Sequence, residues 1–236
     1  VMVHKIHAGE HLPSVQAGTP YQIIGFRQSV HDYSEVVFPQ DLRYCDTCHV
    51  EEAAQSEKYF LEPTRDSCGS CHDDVNFATG ENHVGGPAQS DQFCANCHFP
   101  QGEFEFDASV LGAHTVPAES DQLEGIVIDI LDVSNVGPGQ SISVLYTLTN
   151  KDGETINPAD LPFFNFLLAG PTTDYTTTIS ERAVEASVPT GNPGEFTYDF
   201  QWAFPEDAEG SYALGAEAFR SVTLNPGTTG SFEHRE

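Results

Sequence analysis

The sequence predicts two domains of unlike class: a mostly irregular domain with short helices over residues 1–116, and an all-β sandwich over residues 117–236. Three observations predict this division. All six cysteines and nine of the ten histidines lie in the first domain. Leu, Ile, Val and Phe supply only 14 of the 77 residues in 40–116, too few for a polypeptide core. The second domain shows the period-two alternation of half-buried strands.

The charge of the chain excludes several classes of partner. Nine Lys and Arg stand against 36 Asp and Glu, a formal net charge of −27 at pH 7. Such a surface cannot neutralise phosphates, so we expect no nucleic-acid binding and no polybasic attachment to anionic lipid. No run of 18 apolar residues is present, so we expect no transmembrane segment. The charge does not exclude cations or metals as partners.

The cysteines of the first domain fall into three identical frames, in each of which the second cysteine is followed by histidine. The frames are CDTCH (Cys45, Cys48, His49), CGSCH (Cys68, Cys71, His72) and CANCH (Cys94, Cys97, His98). C-x-x-C-H is the attachment signature of c-type haem: the two thiols bond the porphyrin, and the histidine binds the iron. The sequence therefore predicts three covalent haem c groups with proximal ligands His49, His72 and His98.

Two other uses of C-x-x-C fit less well. Two such pairs can form a four-cysteine zinc site, but three pairs do not divide into such sites, and zinc does not require the histidines. A thioredoxin-like dithiol needs one pair in a βαβ setting, which is absent. Haem also explains the composition, because three apolar macrocycles would supply the missing core of a haem-dominated domain.

The ligand on the far side of each iron decides whether a haem can bind a substrate. Met2 is the only methionine, so a His/Met pair could serve one haem at most. Histidines are more plentiful: four are the main distal candidates, and His11 and His31 are weaker ones. The main candidates are His4, His7, His83 and His114. We therefore expect bis-histidine haems, which are lower in potential than His/Met haems.

Several longer motifs resemble the OmcA/MtrC family of outer-membrane multihaem c-type cytochromes. They are HKIHAGEHLP (4–13), HDYSEVVFPQD (31–41), RDSCGSCHDDVNFATGENH (65–83), GAHTVP (112–117) and LAGPTTDY (168–175). The family typically alternates five-haem modules with β domains and moves respiratory electrons to acceptors outside the cell. The resemblance implies that His4, His7, His83 and His114 are distal ligands, and that the partners are redox cytochromes or extracellular electron acceptors.

The chain departs from the family pattern in its haem count. It resembles the last three haems of a pentahaem module and the β domain that follows, so four distal histidines serve three irons. One explanation is that the chain is a fragment of a larger cytochrome. The other is a homo-oligomer or filament in which the surplus histidine binds a haem of a neighbouring subunit, with His4 as the expected donor because it lies nearest the chain end.

The second domain reads as an antiparallel, immunoglobulin-like β-sandwich. About seven strands without helical periodicity, separated by Gly, Pro and Asn turns, are typical of that fold. The predicted strands are 126–133, 142–148, 163–168, 175–180, 183–188, 196–202 and 212–224. No nucleophile, paired carboxylates or phosphate loop emerges from this domain, so we expect it to serve spacing, docking or assembly.

Together these features predict an exported electron-transfer protein, extracellular or at the cell surface, with the periplasm as the alternative, rather than an enzyme. The main rival is a multihaem reductase in which one open iron acts on a small oxyanion. A third hypothesis is a binding module in which the sandwich attaches to a surface or a partner and the haems are secondary to that binding.

Overall fold

The computed structural model describes residues 1–236, which divide into two compact units, residues 1–120 and 121–236. The sequence placed the boundary after Val116, and the structure places it after Ser120. None of the helices is both long and apolar enough to cross a membrane. The two units differ in class, as predicted: the first has short helices and turns, and the second consists of antiparallel sheets.

The regular elements of the first unit are short. Its α-helices are α1 (Met2–Ala8), α2 (Pro13–Gln16), α3 (Lys58–Leu61), α4 (Arg65–Cys68) and α5 (Val110–Ala113). Single 3₁₀ turns occur at Gly9–His11, Phe26–Gln28, Cys45–Thr47, Asp91–Asn96 and Pro117–Glu119. A hairpin pairs β1 (Gln22–Ile24) with β2 (Val30–Asp32). Side-chain caps occur at three of these pieces; Thr64 and Ser67, for example, form a reciprocal capping box at the start of α4.

The polypeptide of the first unit has almost no apolar core. Its buried hydrophobic residues are Ala8, Leu12 and Val116, whereas large apolar side chains such as Phe93 and Phe104 are 67% and 68% exposed. A chain that buries so little apolar surface cannot offset the conformational entropy of folding. The unit therefore requires apolar material from outside the polypeptide, which three porphyrins would provide.

The second unit has nine strands: β3 (Val127–Ser134), β4 (Ser143–Thr149), β5 (Phe163–Gly170), β6 (Thr177–Arg182), β7 (Val188–Pro189), β8 (Glu195–Asp199), β9 (Ala213–Phe219), β10 (Ser221–Leu224) and β11 (Phe232–Arg235). One sheet has the order β3-β4-β8-β7 and another β6-β5-β9, both antiparallel. The first order is the A-B-E-D order of the immunoglobulin sandwich. The strands β10 and β11 form a separate hairpin, and a 3₁₀ turn at Pro158–Asp160 precedes β5.

The core of this sandwich comes from alternate residues of β4, β5 and β8. Side chains along β4 and β5 alternate between half-buried and fully buried. The ring of Tyr146 on β4 contacts Phe164 and Phe166 on β5, at centroid distances of 5.5 and 5.1 Å. These contacts join the two sheets, and they have the edge-on or tilted geometry that aromatic pairs prefer.

A second tie between the sheets is polar. Glu181 on β6 accepts hydrogen bonds from the Tyr198 hydroxyl (2.9 Å) and from the backbone N–H groups of Gln201 and Trp202 (both 2.8 Å). Since Tyr198 belongs to β8, one carboxylate connects the edge of the three-stranded sheet to the four-stranded sheet.

Two strand predictions need correction. The segment 183–188 is a turn over most of its length, and only Val188 enters a strand. Burial of Ala183 and Val184 under the sandwich produces an apolar pattern there without a strand. The segment 212–224 divides at Arg220 into β9 and β10, and β11 was not predicted because Phe232–Arg235 shows no apolar alternation.

Candidate multihaem centre

The three C-x-x-C-H frames share one backbone conformation. In each frame the histidine N–H donates to the carbonyl of the first cysteine at 2.9 Å, and the N–H of the second cysteine donates to the same carbonyl at 3.1 or 3.2 Å. The two cysteines and the histidine stand at positions i, i+3 and i+4 of this turn, the spacing at which side chains are neighbours on one face. All six thiols are free of disulfides. The repeated geometry is what covalent attachment of one macrocycle per frame requires.

Each frame histidine faces one further histidine from elsewhere in the unit. The ring centroids are 6.1 Å apart for His4 and His49, 6.3 Å for His72 and His114, and 6.2 Å for His83 and His98. Two imidazoles that bind one metal each place a nitrogen about 2 Å from it, so their centroids lie about 6 Å apart. The three pairs therefore have the spacing of three axial ligand pairs, and the residues present fit haem.

The first pair is positioned by α1. This helix ends at Gly9, where φ is +44° and an added Cβ would meet the Val36 carbonyl oxygen at 2.2 Å. Glycine is therefore required for the end of α1 to lie this close to Val36, in the segment that precedes the first frame. Burial, followed by the nearby N-terminal amine and His49, lowers the pKa of His4. A lowered pKa favours the neutral imidazole, which is the form that binds metal.

The second pair depends on the loop before α5. Ser109 caps this helix by accepting from the Gly112 N–H, and Asp107 accepts from the Ser109 N–H at 2.8 Å. The Ser109 hydrogen bond lowers the pKa of the Asp107 carboxyl. His114 follows the helix directly, and its Nδ1 donates to the Val110 carbonyl at 2.7 Å. The cap therefore orients the ring that faces His72.

The third pair depends on a tight loop between the second and third frames. Asn76 and Glu81 form a β-bridge that closes the loop, and the Asn82 side chain donates to the Asp74 carbonyl. Gly80 has φ of +81°, and an added Cβ would lie 2.6 Å from Gly86. Nδ1 of His83 donates to the Gly86 carbonyl at 2.6 Å. The loop thus holds His83 opposite His98.

The three histidines that face the frame histidines all use Nδ1 for a hydrogen bond. The partners are the Ser70 hydroxyl for His4, the Gly86 carbonyl for His83 and the Val110 carbonyl for His114. A hydrogen bond at Nδ1 fixes the tautomer and leaves Nε2 as the ligand atom, as in most histidine-metal sites. Sequence reasoning missed these partners, since two are backbone carbonyls and the third is a serine in a variable position of its frame.

His7 is the distal candidate that faces no frame histidine. It is exposed, and its ring lies 5.5 Å from Phe38. The sequence analysis predicts His4 as the surplus ligand because it is nearest the chain end. In the structure His4 faces His49, whereas the ring neighbour of His7 is Phe38. The weaker candidates have other neighbours: His11 lies 3.7 Å from Glu10, and His31 is hydrogen-bonded to Ser29.

Neighbouring frames are tied to each other by polar contacts. Ser70 of the second frame contacts His4 of the first pair. Arg65, at the start of the second frame's helix, donates to Asp91 at 2.7 Å, and Asp91 begins the 3₁₀ turn that carries Cys94. These contacts join His4 to the second frame, and the second frame's helix to the turn of the third frame.

Comparisons with known proteins bear on two of the frames and on the fold. A family model described as the doubled CXXCH motif matches residues 39–77, which contain the first two frames. Among solved structures, the outer membrane decaheme cytochrome OmcA superposes with a TM-score of 0.59 at 18% sequence identity, over 99% of this chain and 38% of OmcA. The chain has the fold of an OmcA/MtrC-like multihaem cytochrome. It spans about two fifths of the length of OmcA, and no curated protein sequence matches it.

The doubled CXXCH motif and the local chemistry both point to covalent haem c as the cofactor. Each frame offers two thiols for thioether bonds and one imidazole for an iron, and each facing histidine offers a second imidazole. The histidines meet in pairs, and no three or more His, Cys, Asp or Glu side chains of residues 1–236 form a metal-binding group. A pair suffices for haem iron, whereas a structural zinc site takes four protein ligands.

Proposed function

We propose that the chain transfers electrons through three covalently bound, bis-histidine c-type haems. The observation that carries the proposal is the set of three histidine pairs, each spaced for one iron. His49, His72 and His98 serve as proximal ligands, and His4, His114 and His83 as the respective distal ligands. Bound haem supplies a one-electron iron couple.

The protein side chains do the remaining work of this function. Two imidazoles per iron leave no coordination position for a substrate, so the residues support electron transfer rather than bond making. The hydrogen bonds at Nδ1 hold the distal rings in place, which limits the structural change that accompanies a change of iron charge. The contacts between successive frames favour short steps from one redox centre to the next.

The test is a low-temperature EPR spectrum of the oxidised protein, with intact mass to count haems. We expect a mass gain of three haems and purely low-spin ferric signals. A stoichiometric high-spin signal would show an open iron and would overturn the proposal in favour of a reductase. A mass gain other than three haems would overturn the assignment of one haem to each frame.

We place the chain outside the cytoplasm, extracellular or at the cell surface, with redox partner cytochromes or extracellular electron acceptors as its partners. Three points support this placement. Haem c is attached covalently outside the cytoplasm, the surface is acidic, and the printed name of OmcA gives it an outer-membrane location. Cell fractionation with surface proteolysis tests it. Recovery of the haem-loaded protein only from the cytoplasm would contradict it.

We further propose that His7 binds a haem that the three frames do not provide, in a homo-oligomer or filament or in a preceding part of a larger cytochrome. Its exposure and its lack of a facing frame histidine support this role. The variant His7→Ala, compared with His11→Ala, should change assembly state or the spectrum of a fourth haem. Identical behaviour of the two variants in the assembled protein would refute the proposal.

A further inference from the structure

Ser70 is a fully buried serine in the middle of the second frame. It is 0% exposed, and its hydroxyl lies between two groups. On one side is the carbonyl oxygen of Ser67, to which the hydroxyl donates. On the other side is Nδ1 of His4, at 3.2 Å. A residue of one haem-attachment frame is therefore in direct contact with the distal ligand of another haem.

The single proton of the Ser70 hydroxyl determines which group donates in the hydrogen bond with His4. A serine hydroxyl carries one proton, and here that proton goes to the Ser67 carbonyl, which can only accept. The Ser70 oxygen must therefore accept from His4, so Nδ1 of His4 carries the hydrogen. Nε2 is then unprotonated and available for iron.

A second contact docks the same helix on the same frame. Lys5, next to His4, forms a salt bridge of 2.9 Å with Asp73, which follows His72 directly. Asp73 is 7% exposed at its side chain and also accepts from the N–H and hydroxyl of Ser14. The contacts of His4 and Lys5 hold α1, and those of Ser14 hold α2, against the second frame. The position of His4 therefore depends on the folded second frame.

The other two distal ligands are held differently. His83 and His114 donate to carbonyls only three or four residues away, within their own loops. For those pairs, the hydrogen bond is local and does not involve another frame. Only the first of the three pairs has its distal ligand oriented by a side chain from a neighbouring haem-attachment turn.

We propose that Ser70 is a positioning residue that sets the ligand strength of His4, and so couples the properties of the first haem to the second frame. The inference rests on the proposed ligation of the first iron by His4 and His49. A hydrogen bond from Nδ1–H raises the basicity of the ligand nitrogen, and a more basic ligand stabilises ferric iron. Ser70 therefore keeps the first haem closed and lowers its potential.

The variant Ser70→Ala removes the acceptor and little volume. We expect the potential of the first haem to become more positive and the other two to stay unchanged. Loss of an outer-shell partner weakens a metal ligand by roughly 10–100-fold, so cyanide should displace His4 at a 10–100-fold lower concentration. The first-haem signal is assigned with His4→Met, which changes its ligand class. Ser70→Thr retains a hydroxyl and should restore wild-type behaviour.

The matched control is Ser90→Ala, at a half-buried serine whose hydroxyl caps the turn that carries Cys94; it should leave the first haem unchanged. Lys5→Met provides a second, independent variant if Ser70→Ala does not load haem. It removes the salt bridge while leaving Ser70 intact, and it should likewise lower the cyanide concentration that displaces His4.

The outcomes separate this inference from the proposed function. High-spin iron in the wild-type protein would defeat the proposed ligation itself. Three low-spin haems in the wild type, with potentials and cyanide affinity unchanged in both Ser70→Ala and Lys5→Met, would overturn the role of Ser70 alone. A uniform shift of all three haems would also overturn it, because it would indicate a general structural effect.

Discussion

The imidazole rings of His72 and His114 face each other at 6.3 Å, although the two residues lie in different parts of the first unit's sequence. His72 closes the second frame, and His114 follows the last helix of the unit. Their contact spans most of the haem region, so ligation of one iron would fasten the end of the unit to its middle.

Replacing His114 tests this pair. We expect His114→Ala to convert one of the three haems to a high-spin form, since its iron loses the sixth ligand, while the other two remain low-spin. EPR and optical spectroscopy measure the change. His11→Ala is the control, because His11 lies beside Glu10 rather than opposite a frame histidine. Three low-spin haems in His114→Ala would show that another residue is the ligand.

The loop that carries His83 offers a pair of glycines that separates steric from backbone effects. Gly80 and Gly86 both have positive φ, +81° and +75°, so Ala at either costs about 1–2 kcal/mol. Only at Gly80 would the Cβ meet other atoms, with Gly86 and Pro87 at 2.6 Å.

Overpacking adds about 1–3 kcal/mol. Gly80→Ala should therefore destabilise the loop more than Gly86→Ala and should perturb the third haem selectively. Denaturant unfolding with EPR of each variant measures both effects. Equal stability and equal spectra for the two variants would contradict the assigned close approach.

The sequence was sufficient to predict the frames and the candidate ligands, because C-x-x-C-H carries its chemistry within five residues. It could not predict which histidine faces which frame. His4 and His7 lie three residues apart in one helix, and only the fold shows that His4 meets His49 while His7 lies on Phe38. Likewise, carbonyls such as those of Val110 and Gly86 have no sequence signature.

The strands of the second unit could be predicted from the sequence where buried and exposed residues alternate, and not elsewhere. The strands β4, β5 and β8 have one buried face, so their period of two is visible in the sequence. The edge strand β3 keeps Ile130 and Leu131 exposed and was found from its apolar content. The turn after β6 was predicted as a strand because Ala183 and Val184 are buried there, although they belong to no strand.

Haem removal should affect the two units differently. A chain in which the six frame cysteines are replaced by serine should retain the β-sandwich of the second unit, which has its own apolar core. Residues 1–120 should be unfolded, since their polypeptide buries few hydrophobic side chains. Hydrogen exchange measures both units in one experiment, with the haem-loaded protein as control. Native-like protection in residues 1–120 of the haem-free chain would refute this expectation.

Glu181 should be critical to the second unit. Its carboxylate accepts three hydrogen bonds, from Tyr198, Gln201 and Trp202. Glu181→Ala leaves these donors without their partner, and we expect a loss of about 2–3 kcal/mol in the free energy of unfolding. Glu185→Ala, an exposed acidic residue in the turn after β6, should cost less than about 0.5 kcal/mol. Equal unfolding midpoints in urea would contradict the inter-sheet role of Glu181.

The buried Tyr146 should make the second unit sensitive to alkali. Burial raises the pKa of Tyr146 from 10.0 to about 12, although its hydroxyl donates to Ser187 at 2.6 Å. An unfolded tyrosine loses its proton above pH 10 while the folded one keeps it. Folding stability from this residue is therefore fully present below pH 10 and declines as the pH rises toward 12, by roughly 2–3 kcal/mol in total.

Unfolding free energies measured in urea between pH 8 and 11.5 should therefore fall less steeply in Tyr146→Phe than in the wild type. At neutral pH the same variant should be less stable by about 1 kcal/mol, because the bond to Ser187 is lost. Tyr175→Phe, at a residue that is 53% exposed, is the matched control and should retain the wild-type slope. A wild-type slope in Tyr146→Phe would mean that Tyr146 does not stay protonated in the fold, and the alkaline loss would then arise from other groups.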